Sequence, residues 1–503
     1  MRLFVSACLF SLAACGGMKA PGYHTTAAPA PYQVAGPIAD TATTGDTHLD
    51  FGKNPWVETS VDPRSTFAAD VDTASYTYAR RMLLGGALPD AASVRVEEFV
   101  NYFGYAFPAP AAGSPFAVIM DAAPSPLAPG HQLVRVGVAT PVATEATRKP
   151  ANLVFLVDVS GSMDSPDKLG LAKRSLAFLV DHLRPVDRVA IVTYAGSTQV
   201  VLPSTSVDQR DRIKRAIDGL ASGGSTAMGS GLDLAYAEAM KGVKDGAVAR
   251  VIVMSDGDAN VGPSSHEDLL RIIGDRTKAG VTLSTIGFGV GNYRDDLMEQ
   301  LADHGDGNNY YLDTDAAAQR LFGADLAAML QVAAKDVKLQ VEFDPAQVAR
   351  YRLVGYENRA IADADFRKDE VDAGEIGVGH QVTAIYEVQL TDAAQAQPGS
   401  LGLVRIRHKA PDGDTATEAT FAMTGAPAPS FAAASDDLRF AIAVASFADV
   451  LRGAEDAGRW SLTDIAAVAR AAAHGDKDRL ELVELIERAS RLRSPAATIV
   501  GER

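Results

Sequence analysis

The feature that most constrains the fold is a regular alternation of short apolar runs with amphipathic stretches between residues 150 and 330. The apolar runs cover residues 152–157, 187–194, 250–254 and 281–288. Apolar positions at helical spacing fill the segments between them. Strands that alternate with helices form right-handed βαβ crossovers, which bury a parallel sheet between two layers of helices. The sequence therefore predicts an α/β domain with a doubly wound, mostly parallel sheet over residues 148–330.

The two flanks of this domain have different patterns. Residues 51–147 mix helical spacing with strand patterns, which predicts an N-terminal mixed α/β region. From 331 to 426 the strand patterns follow one another without helices between them, which predicts a β-rich domain with an antiparallel sheet or sandwich. Residues 427–503 return to helical spacing, and Ser461 stands where it could cap a helix. We therefore expect a helical C-terminal region.

The N-terminus has the pattern of an export signal. Residues 1–14 combine a positive start with an apolar run, and the run ends in Leu-Ala-Ala followed by Cys15. This looks like a bacterial lipobox, in which the cysteine receives acyl chains such as palmitate and becomes the first mature residue. Because residues 15–50 are poor in large apolar groups, the sequence predicts a lipidated, flexible tether there. Because Gly16 is not the aspartate that retains enteric lipoproteins in the inner membrane, the resemblance favours the outer membrane, with the body facing the periplasm.

Charge and cysteine content exclude several classes of function. The chain has 47 Lys and Arg against 63 Asp and Glu, a formal net charge of −16. A chain this acidic is unsuited to nucleic acids or to anionic lipid surfaces, so we expect membrane contact through the lipid anchor only. The cysteines are Cys8 and Cys15, which leaves the body without a disulfide or a thiolate metal site. The glycine-rich motifs that bind nucleotides do not occur either, so no nucleotide is expected.

Side chains with hard oxygen atoms cluster at the ends of two predicted strands and in one glycine-rich loop. Asp158, Ser160 and Ser162 follow the first apolar run, Asp256 follows the run at 250–254, and Thr226 lies in the loop between them. Ligands of open α/β sheets bind outside the carboxyl ends of the strands. An oxygen set with two carboxylates suits Mg²⁺, with Ca²⁺ or Mn²⁺ also possible, and disfavours zinc or copper. These five residues are the predicted metal ligands.

The order Asp-x-Ser-x-Ser, then threonine, then aspartate resembles the metal-ion-dependent adhesion site of von Willebrand factor A domains. The resemblance implies that Ser160, Ser162 and Thr226 ligate the metal directly in the ligand-bound form. It implies that Asp158 and Asp256 hold the metal's waters or ligate it as the site rearranges. Residues 54–56 and 66–76 also look like the N-terminal region of exported bacterial lipoproteins that carry one such domain. The C-terminal extension is similar to the one in those proteins.

These observations predict a non-enzymatic binding module. An exposed Mg²⁺ at the edge of the sheet would capture an Asp or Glu carboxylate from a protein partner. One alternative is a metal-dependent hydrolase of phosphate or similar esters, with the same cation as Lewis acid. That alternative lacks a second metal site and a positioned base in the sequence. A further alternative is a structural envelope protein without metal-dependent binding.

A second pair of carboxylates, Asp70 and Asp72, stands directly before a predicted helix at 73–84. Acidic side chains in this position often accept hydrogen bonds from the first backbone amides of a helix. We therefore expect helix capping near Thr73 rather than a second acidic site.

Overall fold

The computed structural model describes residues 45–111, 113–142, 148–224, 228–241, 246–257, 266–397, 399–453 and 460–493. The N-terminal elements are β1 (Val57–Glu58), β2 (Arg64–Ala68), α1 (Ala74–Leu84), α2 (Val96–Asn101), β3 (Ala117–Pro124) and β4 (His131–Ala139). The central elements are β5 (Ala151–Asp158), α3 (Leu169–His182), β6 (Arg188–Tyr194), β7 (Thr198–Ser206), α4 (Arg210–Asp218), α5 (Met228–Lys241), β8 (Val248–Ser255), α6 (His266–Thr277), β9 (Val281–Phe288), α7 (Asp295–Asp303), β10 (Asn309–Leu312), α8 (Asp315–Gln319) and α9 (Leu326–Leu330). The C-terminal elements are β11 (Val332–Phe343), β12 (Val348–Val354), β13 (Ile376–Gly377), β14 (Gln381–Leu390), α10 (Asp392–Ala396), β15 (Gly402–Lys409), β16 (Ala416–Ala422), α11 (Asp436–Leu451), α12 (Leu462–Ala471) and α13 (Lys477–Arg493).

The central elements form a six-stranded sheet in the order β10-β9-β8-β5-β6-β7. Neighbouring strands are parallel except for β6 and β7, which are antiparallel. Strand β5 is buried along its whole length because alternate side chains enter two different cores. Phe155 packs in the core that includes α3 and α4, whereas Leu156 packs in the core that includes α5 and α6. The predicted doubly wound, mostly parallel α/β fold is confirmed.

The two flanks of the chain together build a β-sandwich. One sheet has the order β1-β12-β14-β4-β3, and the other has the order β13-β11-β15-β16 with β2 paired to β11. Every strand pair in both sheets is antiparallel. Their inner faces share one core, in which Val136 of β4 joins Val341 of β11 and Tyr386 of β14. Segments predicted as separate regions at 51–147 and 331–426 thus pair in common sheets, and the α/β domain is inserted between them.

The C-terminal helices pack on the N-terminal helices. Phe447 of α11 lies against Phe99 of α2, with ring centroids 6.3 Å apart. The same apolar core contains Tyr76 of α1, Ile465 of α12 and Ile486 of α13. This core attaches the helical C-terminal region to the N-terminal region. Within the described residues, no helix combines the length and the apolar character needed to cross a membrane.

Candidate metal centre

Strands β5 and β8 bring two aspartates to the same edge of the central sheet. The strands are parallel neighbours, with Val157 opposite Met254, so β5 ends at Asp158 and β8 ends at Ser255 on the same edge of the sheet. The Ser255 hydroxyl donates a hydrogen bond of 2.9 Å to Asp158 Oδ2 and links the two strand ends. Both Asp158 and Asp256 are completely buried from solvent. The sheet register therefore holds two carboxylates in one crevice.

The loop after β5 turns so that its two serine hydroxyls meet. Asp158 Oδ1 accepts a hydrogen bond of 2.8 Å from the Ser160 amide, which folds the loop back on the strand end. Residues Gly161–Met163 then form a short 3₁₀ turn. The Oγ atoms of Ser160 and Ser162 lie 3.0 Å apart. Three of the predicted ligands thus come from one turn of chain.

The glycine-rich loop lies against this turn. The Gly161 amide donates to the Gly224 carbonyl at 3.1 Å, and the Gly223 amide donates to the Val159 carbonyl at 2.7 Å. Thr226, the predicted ligand of this loop, lies outside the described residues, so its role stays a prediction. The backbone two residues before it is nevertheless hydrogen-bonded to the serine turn.

The turn after β8 requires a glycine. Gly257 has a φ of +78°, and a Cβ atom there would lie 2.4 Å from the Arg294 amide nitrogen. Its own amide donates to Ser255 Oγ at 2.9 Å. A side chain at this position would be strained in conformation and would collide with backbone, because L-residues rarely adopt positive φ. Gly257 thus permits the close approach of Arg294, in the loop between β9 and α7, to the turn after β8.

The electrostatics of the crevice suit a divalent cation. Burial raises the pKa of Asp158 to about 6, against the hydrogen bonds from Ser160, and the charge of Asp256 adds to the increase. A bound cation would favour the ionised form of both carboxylates. Among the described residues no group of three or more His, Cys, Asp or Glu side chains could hold a metal, so a cation here would depend on serine oxygens as well. Two carboxylates and two hydroxyls are hard oxygen donors, which fit Mg²⁺, Ca²⁺ or Mn²⁺.

Lys168 also belongs to the site, although the sequence pattern indicates only that it begins a helix. Its Nζ lies 2.9 Å from Asp256 Oδ2 and 3.1 Å from Asn292 Oδ1. Asn292 is in the loop after β9. This loop therefore reaches the crevice together with the ends of β5 and β8. The sequence offers one sign of this role. Lys168 occupies the N-cap position of α3, where side chains that accept hydrogen bonds are preferred over a cation.

The prediction that Asp70 and Asp72 cap a helix is wrong. Thr73, the cap residue of α1, makes no side-chain cap hydrogen bond. Both aspartates instead contact the Arg359 guanidinium, at 3.1 Å and 3.3 Å respectively. Arg359 lies 289 residues after Asp70, a partner that local sequence could not reveal. The two carboxylates are part of a buried ion network between the flanks and the α/β domain.

Three family models match the chain. Residues 152–324 match the von Willebrand factor type A domain, and residues 42–135 match a model described as von Willebrand factor. Residues 328–492 match a model described as the C-terminal part of uncharacterized protein YfbK. The first match covers the sheet and crevice described above.

One curated relative is similar over most of its length and shows the family. Uncharacterized protein YfbK from Escherichia coli is 38% identical over 463 residues, which cover 87% of this chain and 80% of that protein. A von Willebrand factor type A structure from Catenulispora acidiphila is 18% identical, covers 75% of this chain and 91% of its own, and has a TM-score of 0.42. The structure of proximal thread matrix protein 1 from the mussel byssus, with a zinc-occupied MIDAS motif, is 23% identical, covers 35% of this chain and 45% of its own, and has a TM-score of 0.30. The chain belongs to the YfbK family of von Willebrand factor type A domain proteins.

Proposed function

We propose that this protein is a non-enzymatic envelope lipoprotein that binds a protein partner through a divalent metal ion. The proposed ligands are Asp158, Ser160, Ser162, Thr226 and Asp256. The observation that carries the proposal is the convergence of β5 and β8, which buries two carboxylates beside a pair of serine hydroxyls 3.0 Å apart. Burying two like charges is costly, and the Lys168 ammonium compensates only one of them, so the pair of carboxylates still favours a divalent cation.

The chemistry of such a site favours capture of a carboxylate. When bound, Mg²⁺ supplies positive charge and coordination positions that protein side chains fill only in part. Asp158 and Asp256 balance the charge of the ion, and the serine hydroxyls orient it without adding charge. An Asp or Glu side chain of a partner is a hard anionic ligand of the kind that Mg²⁺ accepts. The proposed partner is therefore a protein that presents an acidic side chain.

The groups around the Asp158 and Asp256 carboxylates favour the binding of a protein partner over the hydrolysis of an ester. The described groups that hydrogen-bond the two carboxylates include the Ser160 amide, the Ser255 hydroxyl and the Lys168 ammonium. All of these groups are hydrogen-bond donors to the carboxylates. A hydrolase would need a base that takes a proton from water at the metal. Hydrolysis of phosphate esters stays the alternative that an activity screen would reveal.

The lipid anchor is a separate part of the proposal. Cys15 and the apolar run before it lie outside the described residues, so the support is the lipobox pattern alone. We place the acylated protein in the outer membrane, facing the periplasm. An anchored receptor of this kind would hold its partner at the envelope.

Partner capture tests the binding function. Immobilised wild-type protein, Asp158→Ala and the control Asp181→Ala are incubated with solubilised envelope extract in Mg²⁺ or in EDTA. Asp181 is a matched control because it is a half-exposed aspartate on α3, paired with Lys214. We expect wild type and Asp181→Ala to retain the same partner in Mg²⁺ and to release it in EDTA, and Asp158→Ala to retain none. Equal retention in Mg²⁺ and EDTA would contradict the proposal.

A further inference from the structure

Lys168 is held in the metal crevice by three elements of the fold. It stands at the start of α3, donates to Asp256 after β8, and contacts Asn292 in the loop after β9. The Lys168 side chain is 12% exposed and that of Asp256 is 0% exposed. An ion pair this buried is screened by solvent and salt much less than a pair on the surface. The ammonium is thus part of the crevice.

The local structure accommodates the Lys168 side chain, although its position is unfavourable for α3. A cation at the N-terminal end of a helix opposes the helix dipole, and a lysine cannot cap the free amides there. Gly289 has a φ of +71°, and a Cβ atom at that position would lie 2.2 Å from Lys168 Cε. The glycine therefore leaves the space in which the lysine stem runs. Neither feature helps α3 itself, so the placement of Lys168 is explained by its contact with Asp256.

We propose that Lys168 sets the metal affinity of the site, because its ammonium and the divalent ion compete for Asp256. This inference rests on the proposed metal site. In the metal-free protein the lysine supplies a positive charge for the buried carboxylates. When Mg²⁺ enters, Asp256 must turn from the ammonium to the ion or to one of its waters. Part of the metal's binding free energy is then used to displace the lysine.

Charge counting gives the direction of the effect. Asp158, Asp256 and Lys168 together carry a formal charge of −1, whereas the two carboxylates alone carry −2. A divalent cation is attracted more strongly by the second arrangement, and the difference is only partly screened in a buried crevice. Removing the ammonium should therefore raise Mg²⁺ affinity by roughly tenfold or more.

Calorimetric titration of the purified chain with MgCl₂ tests this inference. Lys168→Met keeps the apolar stem and removes the charge, and Lys168→Arg keeps the charge. Lys214→Met is the control, since it removes a half-exposed lysine that pairs with Asp181 in the same domain. We expect Lys168→Met to bind Mg²⁺ at least tenfold more tightly than wild type, and Lys168→Arg and Lys214→Met to stay within about threefold.

Thermal unfolding is a second measurement, which shows whether the fold itself depends on Lys168. In EDTA, Lys168→Met should unfold at a lower temperature than wild type, and saturating Mg²⁺ should raise its midpoint more than it raises that of wild type. If Lys168→Met does not fold in EDTA, Asn292→Ala loosens the lysine without changing charge and should raise Mg²⁺ affinity by a smaller factor.

The outcomes separate the inference from the function it rests on. Equal Mg²⁺ affinity in wild type, Lys168→Met and Lys214→Met overturns the role of Lys168 and leaves the metal site standing. Weaker binding in Lys168→Met than in Lys214→Met overturns it as well. Absence of Mg²⁺ binding in every variant overturns the metal site and the inference together.

Discussion

Replacement of Arg95 by methionine should weaken the attachment of the N-terminal region to the α/β domain. Arg95 Nη2 lies 2.7 Å from both Asp295 Oδ2 and Glu299 Oε2 of α7, and Nη1 lies 2.9 Å from Glu98 Oε1 of α2. The four side chains are at most 8% exposed. Removing one partner from a buried ion pair costs about 3–5 kcal/mol, because the remaining charge loses its compensation. With three carboxylates around one guanidinium, we expect the upper part of that range at pH 8.

The loss should shrink as the pH falls. Burial raises the pKa of Glu98 well above its ordinary value and that of Glu299 to about 7, while Arg95 lowers both. Without Arg95 the pKa of Glu98 and of Glu299 increases further, so protonation at pH 5.5 removes these two uncompensated charges. Burial opposes ionisation of Asp295, but Arg95 and His48 hold its pKa well below the ordinary value, so its charge is the one that stays. Arg95→Met should therefore lose less free energy of unfolding at pH 5.5 than at pH 8.

Denaturant unfolding at the two pH values measures this effect. The control is Arg174→Met, which removes an exposed ion pair with Asp315 whose side chains are 52% and 56% exposed. Exposed pairs contribute about 0–1 kcal/mol. If Arg95→Met lost no more stability at pH 8 than Arg174→Met, or lost more at pH 5.5 than at pH 8, the reasoning about the buried network would be refuted.

Three further predictions concern the anchor, the pH dependence and the metal loop. Cys15→Ser should prevent uptake of labelled fatty acid and move the protein from membranes to soluble extract; a variant that still sediments with membranes contradicts the lipobox. Burial, together with Glu357 and Asp70, raises the pKa of Glu97 to about 7, so its contribution to stability is present at low pH and is lost as pH rises from about 4.5 to about 7. Glu97→Gln should make stability fall less over that window, and an unchanged profile would contradict the assignment. Gly257→Ala should cost about 1–3 kcal/mol of stability and weaken Mg²⁺ binding, because the turn needs a positive φ; wild-type melting and affinity would refute this.

Local sequence patterns were sufficient to predict those features of the structure that depend on residues close together in the chain. Periodicity predicted the alternation of strands and helices in the central domain, and strand ends predicted that Asp158 and Asp256 leave the same edge of the sheet. The N-cap prediction for α12 is also confirmed, since Ser461 Oγ accepts from the Asp464 amide. Each of these features is encoded within a few residues.

Contacts between distant segments could not be predicted in this way. Val136 of β4 pairs with Ala384 of β14, across the whole inserted domain, and no local pattern distinguishes that pairing from others. The contact of Lys168 with Asp256 depends on how three loops converge. The pairing of Asp70 and Asp72 with Arg359 depends on the docking of both flanks. Thr226 and Cys15 lie outside the described residues, and their roles stay predictions.

Calorimetric titration of Mg²⁺ into the wild-type protein and three single variants tests the central claim most directly. Asp158→Ala and Asp256→Ala each remove a charge beside the ion, whereas Thr226→Ala removes a neutral hydroxyl. We expect both aspartate variants to lose more than tenfold in Mg²⁺ affinity, since charge–charge attraction exceeds that of one neutral ligand. Thr226→Ala should lose less and should mainly weaken partner binding, and circular dichroism should show all three folded. Equal Mg²⁺ affinity in wild type and Asp158→Ala would contradict the metal site and the adhesion mechanism built on it.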